Sequence, residues 1–197
     1  MDAALEDFIE HEINQSIATK SALLNAQTLA EIQQIAQLVI ASFKQGGKLL
    51  IAGNGGSAAD AQHLTAEFIG RYKMDRDPLP CIALTTDTSV LTAVSNDLGY
   101  DKVLVRQLQA LARPGDIFAA ISTSGNSANI VAALRQCREQ HVTTIGLTGA
   151  EGGTMSQFCD VCVKVPSRGT PRIQECHILV GHILCAAVEK SLFGEKA

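Results

Sequence analysis

The chain has 197 residues, 46% of them hydrophobic, and a formal charge of −4. That length fits one domain with a sizeable core, and the acidic balance gives a nucleic-acid partner no electrostatic footprint. The start, Met1-Asp-Ala-Ala-Leu-Glu-Asp-Phe8, carries acids where a secretory signal needs bases. No apolar run reads as long enough to span a bilayer, so a cytoplasmic chain with no membrane partner is expected.

Residues 2–24 and 27–45 read as two helices. Leu5, Phe8, Ile9, Ile13 and Ile17 form an apolar stripe at helical spacing in the first, and Ile32, Ile35, Leu38, Val39 and Phe43 do so in the second. One small sheet cannot readily bury both stripes, so residues 1–45 are expected to pack in an oligomer ahead of an α/β core over 46–197. The core opens with Leu49-Leu-Ile-Ala52, an apolar run ending in Gly53-Asn54-Gly55-Gly56-Ser57. This predicts a buried strand, a tight turn and a helix that runs to Gly70 with Ser57 as its N-cap. On that helix His63 and Glu67 stand four apart and share one face.

A charged loop, Arg71 to Pro80, precedes a second strand over Cys81–Thr85. A short helix over Ser89–Val94 leads to Ser95-Asn96-Asp97, and a further helix over Lys102–Ala112 stops at Pro114-Gly115. Asp116–Ile121 reads as a third strand, ending in Ser122-Thr123-Ser124-Gly125-Asn126-Ser127 and a helix through Glu139. Val142–Leu147 and Val161–Val165 supply the fourth and fifth strands, and Ile173–Leu192 a long, largely apolar final helix. Strands alternating with helices imply a five-stranded parallel sheet covered on both faces, a single domain over 1–197. If the strand order is 2-1-3-4-5, the ligand crevice lies between strands one and three, whose following loops are the Gly-rich and the Ser-rich ones.

Hydroxyls ahead of a helix N-terminus suit a phosphate dianion. The Ser-rich loop has no Lys after its glycine, so it is not a nucleotide-triphosphate loop. Gly53 to Ala58 fits G-x-G-x-x-A, but no acid stands at the right distance beyond a second strand to hold a ribose. The six cysteines sit among apolar residues and read as core residues. Cys159-Asp-Val-Cys162 has no second pair to complete a zinc site.

Taken together, these loops resemble those of the sugar isomerase (SIS) domain, and more narrowly of phosphoheptose isomerases. The residues that carry the resemblance are Gly53-Asn-Gly-Gly-Ser57, His63, Glu67, Gly70-Arg71, Asn96-Asp97, Ser122–Ser127, Arg172-Ile-Gln174-Glu175, His177 and His182. It covers nearly the whole chain, leading helices included, and implies a three-layer α/β sandwich and a homotetramer with sites between subunits. It also implies one zinc per subunit, with His63, Glu67, Gln174 and His182 as ligands. Glu67 and His182 are the implied acid–base pair. Asn54, Gly55, Gly56, Ser57, Arg71, Asn96, Asp97 and Gln174 are implied sugar contacts, and Ser122, Thr123, Ser124 and Ser127 a phosphate cradle. The implied reaction converts sedoheptulose 7-phosphate to D-glycero-D-manno-heptose 7-phosphate through an enediol, for bacterial surface polysaccharide. The alternative is a non-enzymatic SIS adaptor of the kind that binds the bacterial replication initiator, which lacks equivalents of Glu67 and His182. If Gln174 and His182 lie on one straight helix, their Cα atoms are about 12 Å apart along its axis. Either Gln174 precedes the helix, or the two residues reach different copies of the site.

Overall fold

A computed structural model describes residues 3–194. Residue 2, the first of the expected leading helix, lies outside them. The elements are α1 (Ala3–Ala22), α2 (Ala26–Lys44), β1 (Leu49–Ala52), α3 (Gly56–Ile69), β2 (Cys81–Ala83), α4 (Thr88–Leu98), α5 (Val103–Leu111), β3 (Ile117–Ser122), α6 (Ala128–Glu139), β4 (Thr143–Gly149), β5 (Val161–Val165) and α7 (Thr170–Phe193). The five strands form one all-parallel sheet in the order β2-β1-β3-β4-β5.

Alternate residues of β1 and β3 feed two cores, because side chains of a strand point to opposite faces. Leu49, Ile51, Ile117, Ala119 and Ile121 face the layer of α2, α3 and α7. Leu50, Ala52, Phe118 and Ala120 face α5 and α6. Both faces being covered explains why β1 is apolar throughout and β3 is apolar as far as Ser122.

The two leading helices part company. Ile32, Ile35 and Val39 of α2 are buried against the sheet. α1 buries no residue, and Leu5, Phe8, Ile9, Ile13 and Ile17 are all 50–59% exposed. Polar contacts moor α1 to the start of α7: Arg172 Nη1 donates to the Glu12 carbonyl at 2.6 Å and Ser16 Oγ to Glu175 Oε2 at 2.6 Å.

α7 is 24 residues long, and its most apolar 18-residue window has a mean hydropathy of 1.4, which passes a test for crossing a membrane by length and composition alone. Its Ile173, Cys176, Val180, Leu184, Cys185 and Val188 are buried within the fold. Other elements are displaced from expectation. α3 is capped by Gly55 (φ 55), not by Ser57. Gly55 turns the chain early in a conformation that side chains resist, so Ser57 falls in the first turn and is itself buried. α4 is capped by Asp87, whose side chain accepts from Val90 N–H, and it extends past Val94 to take in Asn96 and Asp97. α7 starts at Thr170, with Pro171 in its first turn, so Gln174 lies on the same helix as His182.

Candidate active site

Two loops follow β1 and β3 at the carboxyl edge of the sheet, where the strand order reverses. They enclose a cavity of about 320 Å³ lined by Asn54, Gly55, Gly56 and Ser57, by Ile121, Ser122, Thr123 and Ser127, and by Thr170 and Gln174 of α7. No lining residue is basic. The positive potential comes instead from three helix N-termini at that mouth: α3 beginning at Gly56, α6 at Ala128 and α7 at Thr170. Free amides and aligned dipoles at such ends favour an anion. Ser122 and Ser127 join hydroxyl to hydroxyl at 3.0 Å across the loop. Ser127 precedes α6, yet its side chain caps no helix amide.

Asn54 is held by partners that the sequence did not reveal. Asn54 and Asn129 exchange reciprocal amide hydrogen bonds at 2.9 Å, and Tyr100 donates its hydroxyl to Asn54 Oδ1 at 2.9 Å. Asn129 is buried. These contacts leave the Asn54 side chain locked beside the cavity.

α3 and α7 run parallel. Gly56 meets Gln174 at one end: a Cβ on Gly56 would stand 2.5 Å from the Gln174 amide nitrogen. Further along, a Cβ on Gly181 would stand 2.6 Å from the Leu64 methyls. Glycine at 181 therefore lets the helices approach, and beside it His63 and His182 bring their Nε2 atoms to 2.9 Å. Glu67 Oε1 lies 3.6 Å from His63 Nε2. The His63 side chain is 48% exposed and that of Glu67 22%. This cluster faces outward from the helix pair, about 10 Å of helix beyond Gly56.

The support for His182 also came from beyond the expected motifs. The Tyr72 ring stacks on His182 with centroids 5.6 Å apart at 23°. Tyr72 is fixed by Glu189, which is 2% exposed and accepts the backbone N–H groups of Tyr72, Lys73 and Met74 and the Arg76 Nε at 3.0 Å. Burial alone would push the Glu189 carboxyl up, but these donors together hold it below its ordinary value. Asp60, one turn before His63, has a buried carboxylate oxygen without a partner. Burial raises its carboxyl, and His63 opposes the rise.

The expected site residues thus fall into two groups and a remainder. Asn54, Gly55, Gly56, Ser57, Ser122, Thr123, Ser127 and Gln174 line the cavity. His63, Glu67 and His182 form the outward cluster. Arg71, Asn96, Asp97 and Ser124 are exposed and outside that lining in their own chain, with Asn96 donating to Asp97 at 2.8 Å. Two imidazoles and a carboxylate have the donor chemistry zinc takes. Among the described residues, however, no three His, Cys, Asp or Glu side chains are arranged as a formed metal site, and Gln174 sits with the cavity.

The SIS domain model matches residues 13–149. The phosphoheptose isomerase of Aneurinibacillus thermoaerophilus is 53% identical over 193 residues, 98% of each chain. Phosphoheptose isomerase 2 of Campylobacter jejuni is 52% identical over 97% of this chain and 96% of its own. Among solved structures, the phosphoheptose isomerase of Neisseria gonorrhoeae superposes with a TM-score of 0.89 at 41% identity, covering 94% of this chain and 99% of that one. That of Francisella tularensis gives 0.90 at 36%, over 96% and 100%. On the family model and on relatives of this identity and coverage, the chain belongs to the phosphoheptose isomerases of the SIS-domain family.

Proposed function

We propose that the chain isomerises sedoheptulose 7-phosphate to D-glycero-D-manno-heptose 7-phosphate, in the cytoplasm, as a step toward nucleotide-activated heptose for surface polysaccharide. The observation that carries the catalytic assignment is the meeting of Glu67, His63 and His182 from two parallel helices. Both members of the acid–base pair are present, each against His63, which favours an enzyme over a replication-initiator adaptor.

The ligand's phosphate binds among the helix N-termini, with Ser122, Thr123 and Ser127 at the loop and Ser124 beside them. Remote binding of that kind holds the reacting carbons in place and contributes to rate by orientation. The carboxylate of Glu67 is an acceptor only, so we assign it the proton on the carbon beside the carbonyl. The neutral imidazole of His182 can both donate and accept, so we assign it the proton exchanged at oxygen. Tyr72 keeps that ring in one orientation. Positioned acid–base groups contribute about 10²–10⁴-fold.

In each chain the cluster lies outside the lining of its own cavity. We therefore infer that the site is composite, the cluster of one copy meeting the cavity of another, in a homotetramer. The uncovered stripe of α1 supports such self-association. Arg71, Asn96 and Asp97 would then contact sugar across the same boundary. His63, Glu67 and His182 would hold one zinc per subunit, with Gln174 of the neighbouring copy. When bound, zinc supplies Lewis-acid polarisation of the carbonyl oxygen.

The test is Glu67→Gln, assayed with sedoheptulose 7-phosphate on chelated and zinc-reloaded protein. Turnover should fall by about 10²-fold or more, while assembly size and binding of a phosphate ligand stay unchanged. Undiminished turnover would end the assignment.

A further inference from the structure

Away from the cavity, three sulfur-bearing side chains meet where β4 passes β5. Gly146 stands opposite Cys162 in the sheet register. A Cβ at Gly146 would lie 2.6 Å from Cys159 Sγ, 2.9 Å from Cys162 Sγ and 3.1 Å from Met155 Cε. A side chain at Gly146 would collide with both sulfurs, so glycine at 146 is what allows the two thiols to converge. Both sulfurs therefore crowd the one space that a side chain at 146 would fill.

The other four cysteines are of a different kind. Cys81, Cys137, Cys176 and Cys185 are buried, and burial pushes three of these thiols, Cys81, Cys137 and Cys185, up to about 12. Such thiols are inert. Cys159 and Cys162 are only partly buried. The hydrogen bond from Cys159 holds the Cys162 thiol below its ordinary value, burial opposes this, and Lys164 reinforces it. The same bond, with burial, holds Cys159 up. Their convergence lets one thiol attack and the other resolve.

The dithiol also touches the Ser-rich loop through one short segment. Met155, fully buried against Gly146, donates its backbone N–H to the Gly125 carbonyl at 2.8 Å. Asn126 Oδ1 accepts both the backbone N–H and the hydroxyl of Thr154 at 2.9 Å. The single turn Thr154–Gln157 therefore stands between Cys159 and the floor of the loop.

We propose that Cys159 and Cys162 are a redox-active dithiol that closes to a disulfide by exchange with a low-molecular-weight disulfide, and that closure displaces the Ser122–Ser127 loop through the Thr154–Gln157 turn. The Cys162 thiolate attacks one sulfur of the small disulfide and expels one small thiol. Cys159 then loses its proton and attacks the Cys162 sulfur, expelling the second. Two protein thiols are oxidised by two electrons and one small disulfide is reduced to two thiols. The second half of the proposal rests on reading the Ser-rich loop as the anion cradle.

The full chain is equilibrated in graded ratios of reduced to oxidised glutathione, alkylated and mapped by mass spectrometry. A Cys159–Cys162 bridge is expected while the other four cysteines remain alkylated. Cys159→Ser should trap Cys162 as a mixed disulfide with glutathione, and Cys162→Ser should react at Cys159 about tenfold more slowly. Absence of the bridge in fully oxidised glutathione, or earlier reaction at the buried four, overturns the dithiol. Calorimetric titration with inorganic phosphate reads the coupling. Affinity should fall several-fold in the bridged form, return with dithiothreitol, and stay constant in the Cys159→Ser/Cys162→Ser double variant. An unchanged affinity in the bridged form overturns the coupling. Failure of the reduced form to bind phosphate overturns both the coupling and the cradle reading, and leaves the mapped bridge as an independent result.

Discussion

His177 gives the fold a pH sensitivity that can be measured. It lies on α7 with no exposed surface, and its ring nitrogens make no well-formed hydrogen bond, only a weak approach to the Thr148 backbone. Burial pushes the ring down from 6.5 to about 4, and the Thr148 backbone offsets only part of that. The folded protein therefore keeps His177 neutral, while the unfolded chain takes up a proton once pH falls below about 6.5. Stability from this source is intact above 6.5, drains away between 6.5 and about 4, and changes no further below that. The full drop is on the order of 3 kcal/mol. It is read by urea unfolding of wild type and His177→Phe at fixed protein concentration, from pH 7.5 to 4.5. The variant removes the titrating ring while keeping its bulk, so its stability should decline less steeply as pH falls. Parallel curves across that range would refute the reasoning.

Glu189→Ala leaves the Arg76 guanidinium buried with its carboxylate gone and three backbone N–H groups without an acceptor, and should cost about 3–5 kcal/mol in chemical denaturation. A loss below about 1 kcal/mol, as for an exposed pair, would mean that the loop holds itself. Because its donors hold the Glu189 carboxyl down, that contribution is present above the ordinary carboxylate pKa and lost as pH falls through the lowered one. Ile13→Glu, in the middle of the uncovered α1 stripe, should shrink the assembly in light scattering without loss of helical circular dichroism. An unchanged assembly would remove α1 from the self-association surface.

Much of the frame was legible because it rests on local rules. Leu49–Ala52 and Val161–Val165 stand where apolar runs and turn residues put them, and the reversal of strand order brings together the two loops singled out by composition. Ser57 misled because a hydroxyl before an alanine run is a good cap, while Gly55 offers a backbone conformation that composition does not display. Asn96 and Asp97 read as a loop because weak helix formers cluster there, yet the Asp87 cap and the following turn carry the helix through them. The spacing of His63 and Glu67 showed one shared face. Nothing local showed that Gly181 would let His182 close on them, or that Tyr72 would brace it. Those depend on how two helices distant in sequence lie side by side.

The cavity's attraction for an anion belongs to peptide groups at three helix ends and not to any ionisable side chain. Peptide dipoles do not titrate, so acid or alkali short of unfolding leaves the protein's half of that attraction untouched. A phosphate ester's own second ionisation, near pH 6, would then govern how tightly it is held. No single charge reversal within the lining could abolish the pull, since there is no charge there to reverse.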